Sequence, residues 1–130
     1  MRQGPATAAE AVAMAVVLGD ALATLHRAGY LHGDVEPSSI GFTHDGSLKL
    51  LDFGLARETA DADARGGTLR YMSPEVLAGR SAEEADDVWS LCVVLHERCR
   101  DAIRSQTAAA TPTCAALATA RVSLRALERL

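Results

Sequence analysis

Lysine is almost absent from this chain of 130 residues, because 12 of its 13 basic residues are arginine and Lys49 is the single lysine. Any chemistry that needs an ammonium group therefore has one candidate. Acidic residues outnumber basic ones by 17 to 13, so the net charge is −4. This balance excludes the basic field that would hold nucleic acid or anionic lipid, and we expect no nucleic-acid partner.

Cysteine and long apolar runs are also scarce. The three cysteines are odd in number and form no C-x-x-C pair, which excludes a disulfide framework and a zinc site and suits a reducing compartment. The longest apolar run, residues 11–19, is cut by Asp20 and is shorter than a bilayer requires. Residues 1–5 lack the apolar core of a signal peptide. The sequence therefore predicts a cytoplasmic protein with no membrane partner.

Two capping boxes predict the starts of two long helices. Residues 7–10 read TAAE and precede apolar residues at helical spacing, which predicts a helix over 8–28 that ends at Gly29. Residues 81–84 read SAEE and predict a second helix over 82–104. The centre of this second helix is apolar almost all round, so we expect it in the middle of the core.

The region between these helices has no helical period. Residues 41–43 and 48–51 flank an HDG turn and predict a β-hairpin. Segments 30–40 and 52–70 are polar and interrupted by glycine, so we expect loops there. Long ordered loops in a small domain are usually functional. The predicted fold class is mainly α within the α+β class, with one β-hairpin.

Four short motifs stand in order along the chain. Residues 32–39 read HGDVEPSS, 52–57 read DFGLAR, 67–75 read GTLRYMSPE and 87–91 read DVWSL. They resemble the H-R-D-L-K-P-x-N catalytic loop, the D-F-G metal-binding segment, the substrate-positioning segment and the central helix of serine/threonine protein kinases. No G-x-S-x-G or H-E-x-x-H motif appears, so hydrolase and metalloprotease chemistry have no support.

The resemblance extends over residues 6–100 and concerns the large lobe of a kinase alone. The chain contains no glycine-rich loop, and Lys49 precedes the D-F-G strand, so it does not match the phosphate-binding lysine. The implied fold is a truncated, protein-kinase-like C-terminal lobe over 1–104. An Ala/Thr-rich tail, 105–130, follows and could hold one short amphipathic helix over 121–130.

Three residues match catalytic positions of the family. Asp34 matches the aspartate that accepts the proton of the substrate hydroxyl, and Thr68 lies in the substrate-positioning segment. Glu36 stands where the family has a lysine that contacts the transferring phosphate. At about 4 Å and an effective dielectric of about 20, one charge pair is worth roughly 4 kcal/mol, so this reversal of sign predicts a serious catalytic defect.

Three more positions concern the cofactors, which the resemblance implies to be ATP and Mg²⁺, and a fourth concerns the activation loop. Asp52 matches the main metal ligand, and Ser39 replaces the asparagine that holds a second metal ion. Gly41 falls where the family supplies an apolar floor for adenine. Gly33 replaces an arginine that binds a phosphorylated activation loop in many kinases. We therefore expect this chain alone to bind nucleotide weakly.

Two residues are implied to be structural. The family packs the histidine matched by His32 against the D-F-G phenylalanine, here Phe53. It uses the aspartate matched by Asp87 to anchor amides of the catalytic loop.

Several interpretations of function stay open. The first is a kinase-derived lobe that acts on protein serine or threonine in its family but has little or no catalysis of its own. The second is half of a split kinase that needs a small lobe in trans. The third is a non-catalytic pseudokinase scaffold that binds a protein partner, and a truncated gene product with no selected role is the fourth. Uncovered apolar surface also predicts self-association.

Overall fold

Two long helices form the centre of the fold. The computed structural model describes residues 7–61 and 66–109, and in it α1 spans Ala8–Arg27 and α3 spans Glu84–Ala109. The two helices pack against each other. The core that they share with the strands is apolar and contains Met14, Leu18, Leu22, Val35, Ile40, Leu50, Tyr71, Leu91 and Val94.

Helix α1 begins as predicted and ends at Arg27, one residue before the predicted end, with Ala28 as its C-cap. Glu10 N donates to Thr7 Oγ1 at 3.2 Å and Thr7 N donates to the Glu10 carboxylate at 2.7 Å, which completes the capping box. Gly29 follows the helix with a φ of +83°, a left-handed conformation that glycine adopts without strain. By length and composition, Ala9–Arg27 could also cross a membrane, so the expectation that no segment is long enough was wrong for this helix. In the structure the helix contributes to the core.

The predicted β-hairpin is confirmed. Strand β2 (Ile40–Phe42) pairs antiparallel with β3 (Leu48–Leu50), with Gly41 opposite Lys49. Ile40 and Leu50 lie opposite each other and are buried in the core, because alternate residues of a strand point to the same side. The hairpin thereby carries the D-F-G segment, which follows β3, to the edge of the core.

A second pair of strands lies in segments that the sequence predicted to be loops. Strand β1 (Tyr30–Leu31) pairs antiparallel with β4 (Arg57–Glu58). Thr59 N continues the connection by donating to Gly29 O at 2.9 Å. Two residues per strand are too few to show an alternating pattern, so this pairing leaves no sequence signal. Short helical turns complete the described fold: α2 (Pro74–Leu77) and the 3-10 turns Pro37–Ser39 and Thr59–Asp61.

Helix α3 differs from its prediction at both ends. It begins at Glu84 instead of residue 82, because Glu83 N donates to the Asp86 carboxylate at 2.6 Å ahead of the helix. It continues to Ala109 and so passes the predicted end at 104. The predicted short helix over 121–130 lies outside the described residues, and the division of the chain at 104 stays a prediction.

Helix α3 also differs from its prediction on one face. Leu91 and Val94 are buried, but Val88 and Trp89 are 48% and 44% exposed. The expectation that α3 is surrounded by core was therefore wrong within the described part of the chain. The apolar residues at its centre therefore lie on both the buried face and the exposed face of the helix.

Candidate functional site

The loop that carries Asp34 is anchored by one buried carboxylate of α3. Asp87 Oδ2 accepts from His32 N at 2.8 Å, and its Oδ1 accepts from Gly33 N at 2.9 Å. His26 Nε2 lies 2.8 Å from Asp87 Oδ2 and ties α1 to the same carboxylate. A buried charge is tolerated when it is fully hydrogen-bonded, as here. The predicted contact between Asp87 and the amides of the catalytic loop is confirmed.

His32 joins the catalytic loop to the D-F-G segment. Its Nε2 lies 3.1 Å from Leu51 O, and its Nδ1 lies 3.4 Å from Asp34 N. Because a carbonyl oxygen can only accept, we assign the ring proton to Nε2, which leaves Nδ1 to accept from Asp34 N. The centroid of its ring lies 5.2 Å from that of Phe53, with the two planes tilted by 55°, so the predicted packing of His32 against Phe53 is confirmed. His32 is completely buried, and its contacts fix the catalytic loop and the D-F-G segment relative to each other.

Asp34, Thr68 and Glu36 are brought together. Thr68 N donates to Asp34 Oδ1 at 2.7 Å, and Thr68 Oγ1 donates to Glu36 Oε2 at 2.9 Å. The other oxygen of Glu36 accepts from the hydroxyl of Ser38. Within residues 7–61 and 66–109, the hydrogen bond to the Asp34 carboxylate is the one that Oδ1 accepts, and no donor bonds to Oδ2. The three positions that the sequence selected as catalytic are adjacent, and their roles stay predictions.

The electrostatic balance of this cluster is negative. Asp34 and Glu36 place two carboxylates around one threonine, and Asp52 follows β3 on the D-F-G segment. No ion pair with a described lysine or arginine involves any of these three carboxylates. An anionic phosphate group that approached them would meet repulsion where the family presents an ammonium group.

Asp52 is suited to hold a metal ion. Its side chain is exposed, and its Oδ1 accepts from Gly54 N at 3.3 Å. Its backbone has a φ of +60°, a left-handed conformation that aspartate tolerates better than most residues. Carboxylate oxygen is the ligand type that Mg²⁺ prefers.

Ser39, the second predicted ligand, is turned into the loop. It is 1% exposed, its Oγ donates to Glu36 O at 2.8 Å, and the same oxygen accepts from Glu36 N at 2.9 Å. Among the described residues, no group of three histidine, cysteine, aspartate or glutamate side chains is arranged to hold a metal ion. Of the two predicted ligands, Asp52 faces solvent and Ser39 does not, so these two side chains as they stand do not complete a Mg²⁺ site. Ligation by Ser39 stays a prediction that requires its hydroxyl to leave Glu36.

Arg57 fills the space beside Gly33. A Cβ atom at position 33 would lie 2.7 Å from Arg57 Nη1 and 3.0 Å from Leu55 O, and Gly33 has a φ of +79°. The guanidinium therefore lies against the catalytic loop where the sequence predicted the loss of a cation. Its Nε is buried and makes no hydrogen bond within the described part of the chain. The sequence could not show this contact, because it depends on the two-residue pairing of β4 with β1.

Leu51 fills the corresponding space beside Gly41. A Cβ atom at position 41 would lie 2.5 Å from Leu51 Cδ1, so the leucine side chain covers the glycine. Leu51 is itself exposed and supplies apolar surface where we expected Gly41 to leave a gap. The role of Gly41 in a nucleotide site stays a prediction, and Leu51 is a residue that the motif comparison missed.

An open apolar groove of about 480 Å³ lies between α1 and the hairpin. Its lining is mostly aliphatic, with Phe53 at its end, and consists of Val17, Leu18, Ala21, Thr24, Leu25, Ala28, Leu48, Lys49, Leu50 and Phe53. Phe53 is 51% exposed, so the aromatic side chain that packs against His32 also faces solvent.

Comparison with known proteins agrees with this geometry. Residues 1–122 match the protein kinase domain family. The chain is 43% identical over 86 residues to the serine/threonine-protein kinase PknL of Mycobacterium tuberculosis, a match that covers 62% of this chain and 21% of that protein. It is 37% identical over 101 residues to PknH of Mycobacterium bovis, covering 74% of this chain and 17% of that protein.

The fold is also similar to a solved kinase. The structure of the Cydia pomonella granulovirus kinase PK-1 matches with a TM-score of 0.62 and 27% identity, over 67% of this chain and 33% of that one. The predicted fold class, a mainly helical segment of a kinase-like α+β fold, is confirmed. The chain spans about one fifth of the length of the curated relatives that it matches.

Proposed function

This chain belongs to the protein kinase family, and we propose that it is a large-lobe segment of the serine/threonine type with little or no phosphotransfer activity of its own. The observation that carries this proposal is the Glu36 carboxylate, which accepts a hydrogen bond from the hydroxyl of Thr68, the residue whose amide is bonded to Asp34. In the family pattern an ammonium group occupies this position.

The physical reason lies in the charge that the reaction must stabilise. Phosphoryl transfer requires little covalent chemistry from the protein and depends on positioning and on neutralisation of the phosphate charge. Here Glu36 adds negative charge beside Asp34, and the buried hydroxyl of Ser39 does not face outward to help hold a metal ion. Asp34 Oδ2 has no hydrogen bond among the described residues and could accept a proton. The lysine and asparagine that would hold the phosphate and the metal ion near it are replaced by Glu36 and Ser39.

Protein kinases as a family use ATP and Mg²⁺, and they act on proteins. For this chain we propose weak nucleotide binding and a protein partner. A cytoplasmic location and the absence of a nucleic-acid partner stay predictions from composition. The apolar groove and the exposed Phe53 support the further prediction of a protein partner or of self-association.

A phosphorylation assay tests this proposal. The unaltered chain and the double variant Glu36→Lys, Ser39→Asn are each incubated with Mg²⁺, labelled ATP and a generic basic protein. The double variant restores the family pattern in the loop, yet the chain still offers no glycine-rich loop or phosphate-binding lysine, so we expect no transfer by either. Transfer by the unaltered chain would overturn the proposal, and transfer by the double variant alone would show that those elements are less essential than we propose.

A second candidate function is half of a kinase whose small lobe is supplied by another chain. The groove beside α1 favours it, because its apolar lining and exposed Phe53 would be covered by a partner. Adding a kinase small lobe in trans to the double variant should then restore transfer. If the small lobe binds but transfer does not return, a non-catalytic pseudokinase scaffold is the better description.

A further inference from the structure

The first turn of α3 contains two consecutive buried aspartates, Asp86 and Asp87. Consecutive residues of a helix point about 100° apart, so the two carboxylates face different partners. Asp87 binds the amides of His32 and Gly33 in the catalytic loop. Asp86 precedes the DVWSL motif and lies outside all four kinase-like motifs, so its carboxylate is not explained by the family pattern.

The Asp86 carboxylate binds the end of the substrate-positioning segment. Its Oδ1 accepts from Ser73 Oγ at 2.6 Å and from Arg80 Nη2 at 2.8 Å. Its Oδ2 accepts from Glu83 N at 2.6 Å. Ser73 is 2% exposed, and its Oγ also accepts from Val76 N at 3.1 Å, which caps the start of α2. A buried carboxylate with several donors, one of them a guanidinium, is fixed in position and fixes its partners in turn.

Two more polar side chains on the same face of α3 bind this segment. Ser90 Oγ donates to Tyr71 O at 2.7 Å, and the Glu97 carboxylate accepts from the hydroxyl of Tyr71 at 3.0 Å. Glu97 also forms an ion pair with Arg70. At 3.6 residues per turn, Asp86, Ser90 and Glu97 lie within about 40° of one another around the helix. One row of polar side chains on α3 therefore holds the segment at several points.

We propose that Asp86 is a positioning residue that fixes the substrate-positioning segment relative to the catalytic loop. Because Asp86 and Asp87 are adjacent on one helix, the segment and the loop are held at a set distance from each other. This distance allows Thr68 N to donate to Asp34 Oδ1 at 2.7 Å, the bond that joins the segment to the loop. The positioning concerns the site of the proposed function, but it does not depend on phosphotransfer by the chain.

Amide hydrogen exchange followed by NMR tests this role, because it reports the opening of each segment separately. The variant Asp86→Asn keeps the size of the side chain and removes its charge. The segment is measured at the amides of Thr68 and Tyr71, and the loop at the amides of His32 and Gly33, which do not bind Asp86. We expect exchange at the two segment amides to rise at least tenfold relative to exchange at the two loop amides.

Two further variants control this measurement. Glu84→Gln removes an exposed carboxylate from the same turn of α3 and should leave the four amides unchanged relative to one another. Ser73→Ala removes the bond to Asp86 but keeps the carboxylate and its other donors, so it tests the link even if Asp86→Asn does not fold, and it should change exchange in the same direction as that variant.

Two results would overturn the proposal. If all four amides exchange faster by the same factor, Asp86 stabilises the whole fold and does not position the segment. If exchange in the segment matches that of Glu84→Gln, the segment is held without Asp86. None of these measurements requires nucleotide, so a failure here is distinct from a failure of the proposed function.

Discussion

Two sets of residues in and around the catalytic loop differ in how closely they match the family pattern: those that anchor the loop to the core, and Glu36 and Ser39. On the inner side, Asp87 and His32 are buried and His26 is half-buried, and hydrogen bonds join them to one another, to the loop backbone or to Leu51 O. Two other positions of the loop depart from the family pattern: the half-buried Glu36 stands in place of a lysine and the buried Ser39 in place of an asparagine. The buried residues stabilise the conformation of the loop, and under the proposed function Glu36 and Ser39 determine what the loop can bind. The chain thus keeps the fold of a kinase loop, and a change in its chemistry is the proposal to be tested.

Removal of the inner carboxylate should have the largest effect. Asp87→Ala leaves the amides of His32 and Gly33 without their acceptor, and breaking a buried charged network of this kind costs about 3–5 kcal/mol. We expect a loss of this size in the free energy of unfolding measured by urea denaturation. Asp101, an exposed aspartate on the same helix, is the matched control, and Asp101→Ala should change it by less than about 0.5 kcal/mol. Equal effects of the two variants would show that Asp87 is not the anchor.

Substitutions at two glycines distinguish the stability cost of backbone strain from the cost of side-chain crowding. Gly33 and Gly46 both have positive φ, of +79° and +85°, but a Cβ atom at Gly33 would clash with Arg57 Nη1 and Leu55 O, whereas nothing lies within 4 Å at Gly46. We expect Gly46→Ala to cost about 1 kcal/mol from the backbone alone and Gly33→Ala to cost about 2–3 kcal/mol. Melting temperatures of both variants measure the difference.

The crowding at Gly33 has its own control. Because the guanidinium end of Arg57 is flexible, Arg57→Ala in the Gly33→Ala background should recover part of the loss. If the two glycine variants lose the same stability, Arg57 does not occupy the space beside the loop in solution.

The carboxylate of Glu36 should stabilise the substrate-positioning segment even though it disfavours phosphate binding. A double-mutant cycle with Glu36→Ala and Thr68→Val isolates the bond between their side chains, which is half-buried and charge-assisted. We expect a coupling of about 1–2 kcal/mol in the free energy of unfolding. Ser38→Ala, which removes the other hydroxyl bonded to Glu36, should couple to Thr68→Val more weakly, because the two hydroxyls share the carboxylate but bond to different oxygens. A coupling near zero between Glu36 and Thr68 would mean that the hydrogen bond between their side chains does not form in solution.

Tyr71 should give the smallest effect, confined to alkaline pH. Burial raises the pKa of Tyr71 above its ordinary value of 10.0, and the hydrogen bond to the Glu97 carboxylate at 3.0 Å raises this pKa further. Since the folded protein favours the protonated phenol, its stabilising contribution is complete below about pH 10 and is lost as the pH rises through the folded pKa. Urea midpoints should fall above pH 10 in the unaltered chain and fall less in Tyr71→Phe. The exposed Tyr30 is the control, and Tyr30→Phe should keep the alkaline loss.

The elements with long periodic patterns were predictable from sequence, and so were residues that stand in ordered motifs. Helix α1 with its capping box, the hairpin, the packing of His32 against Phe53 and the anchoring by Asp87 are all confirmed. Each rests on a pattern of neighbouring residues or on motifs whose spacing is typical of the family. Periodicity and motif spacing carry this information because they reflect local geometry.

The features that the sequence did not predict depend on contacts between distant residues. The pairing of β1 with β4, the guanidinium of Arg57 beside Gly33 and Leu51 over Gly41 each join segments that meet only after folding. A glycine in a motif shows that a side chain is absent, but it does not show which neighbour fills the space. The open face of α3 was missed for a related reason, because an apolar run does not tell which of its sides the rest of the chain covers.

Calorimetric titration of the chain with Mg²⁺–ATP tests most directly the claim that the loop keeps its fold but not its chemistry. The account predicts a Kd at or above the order of 1 mM. The same sample should melt cooperatively, as the intact inner anchors require. Micromolar binding by the unaltered chain would contradict the account, because it would show that Glu36 and the buried Ser39 do not prevent the site from holding a nucleotide.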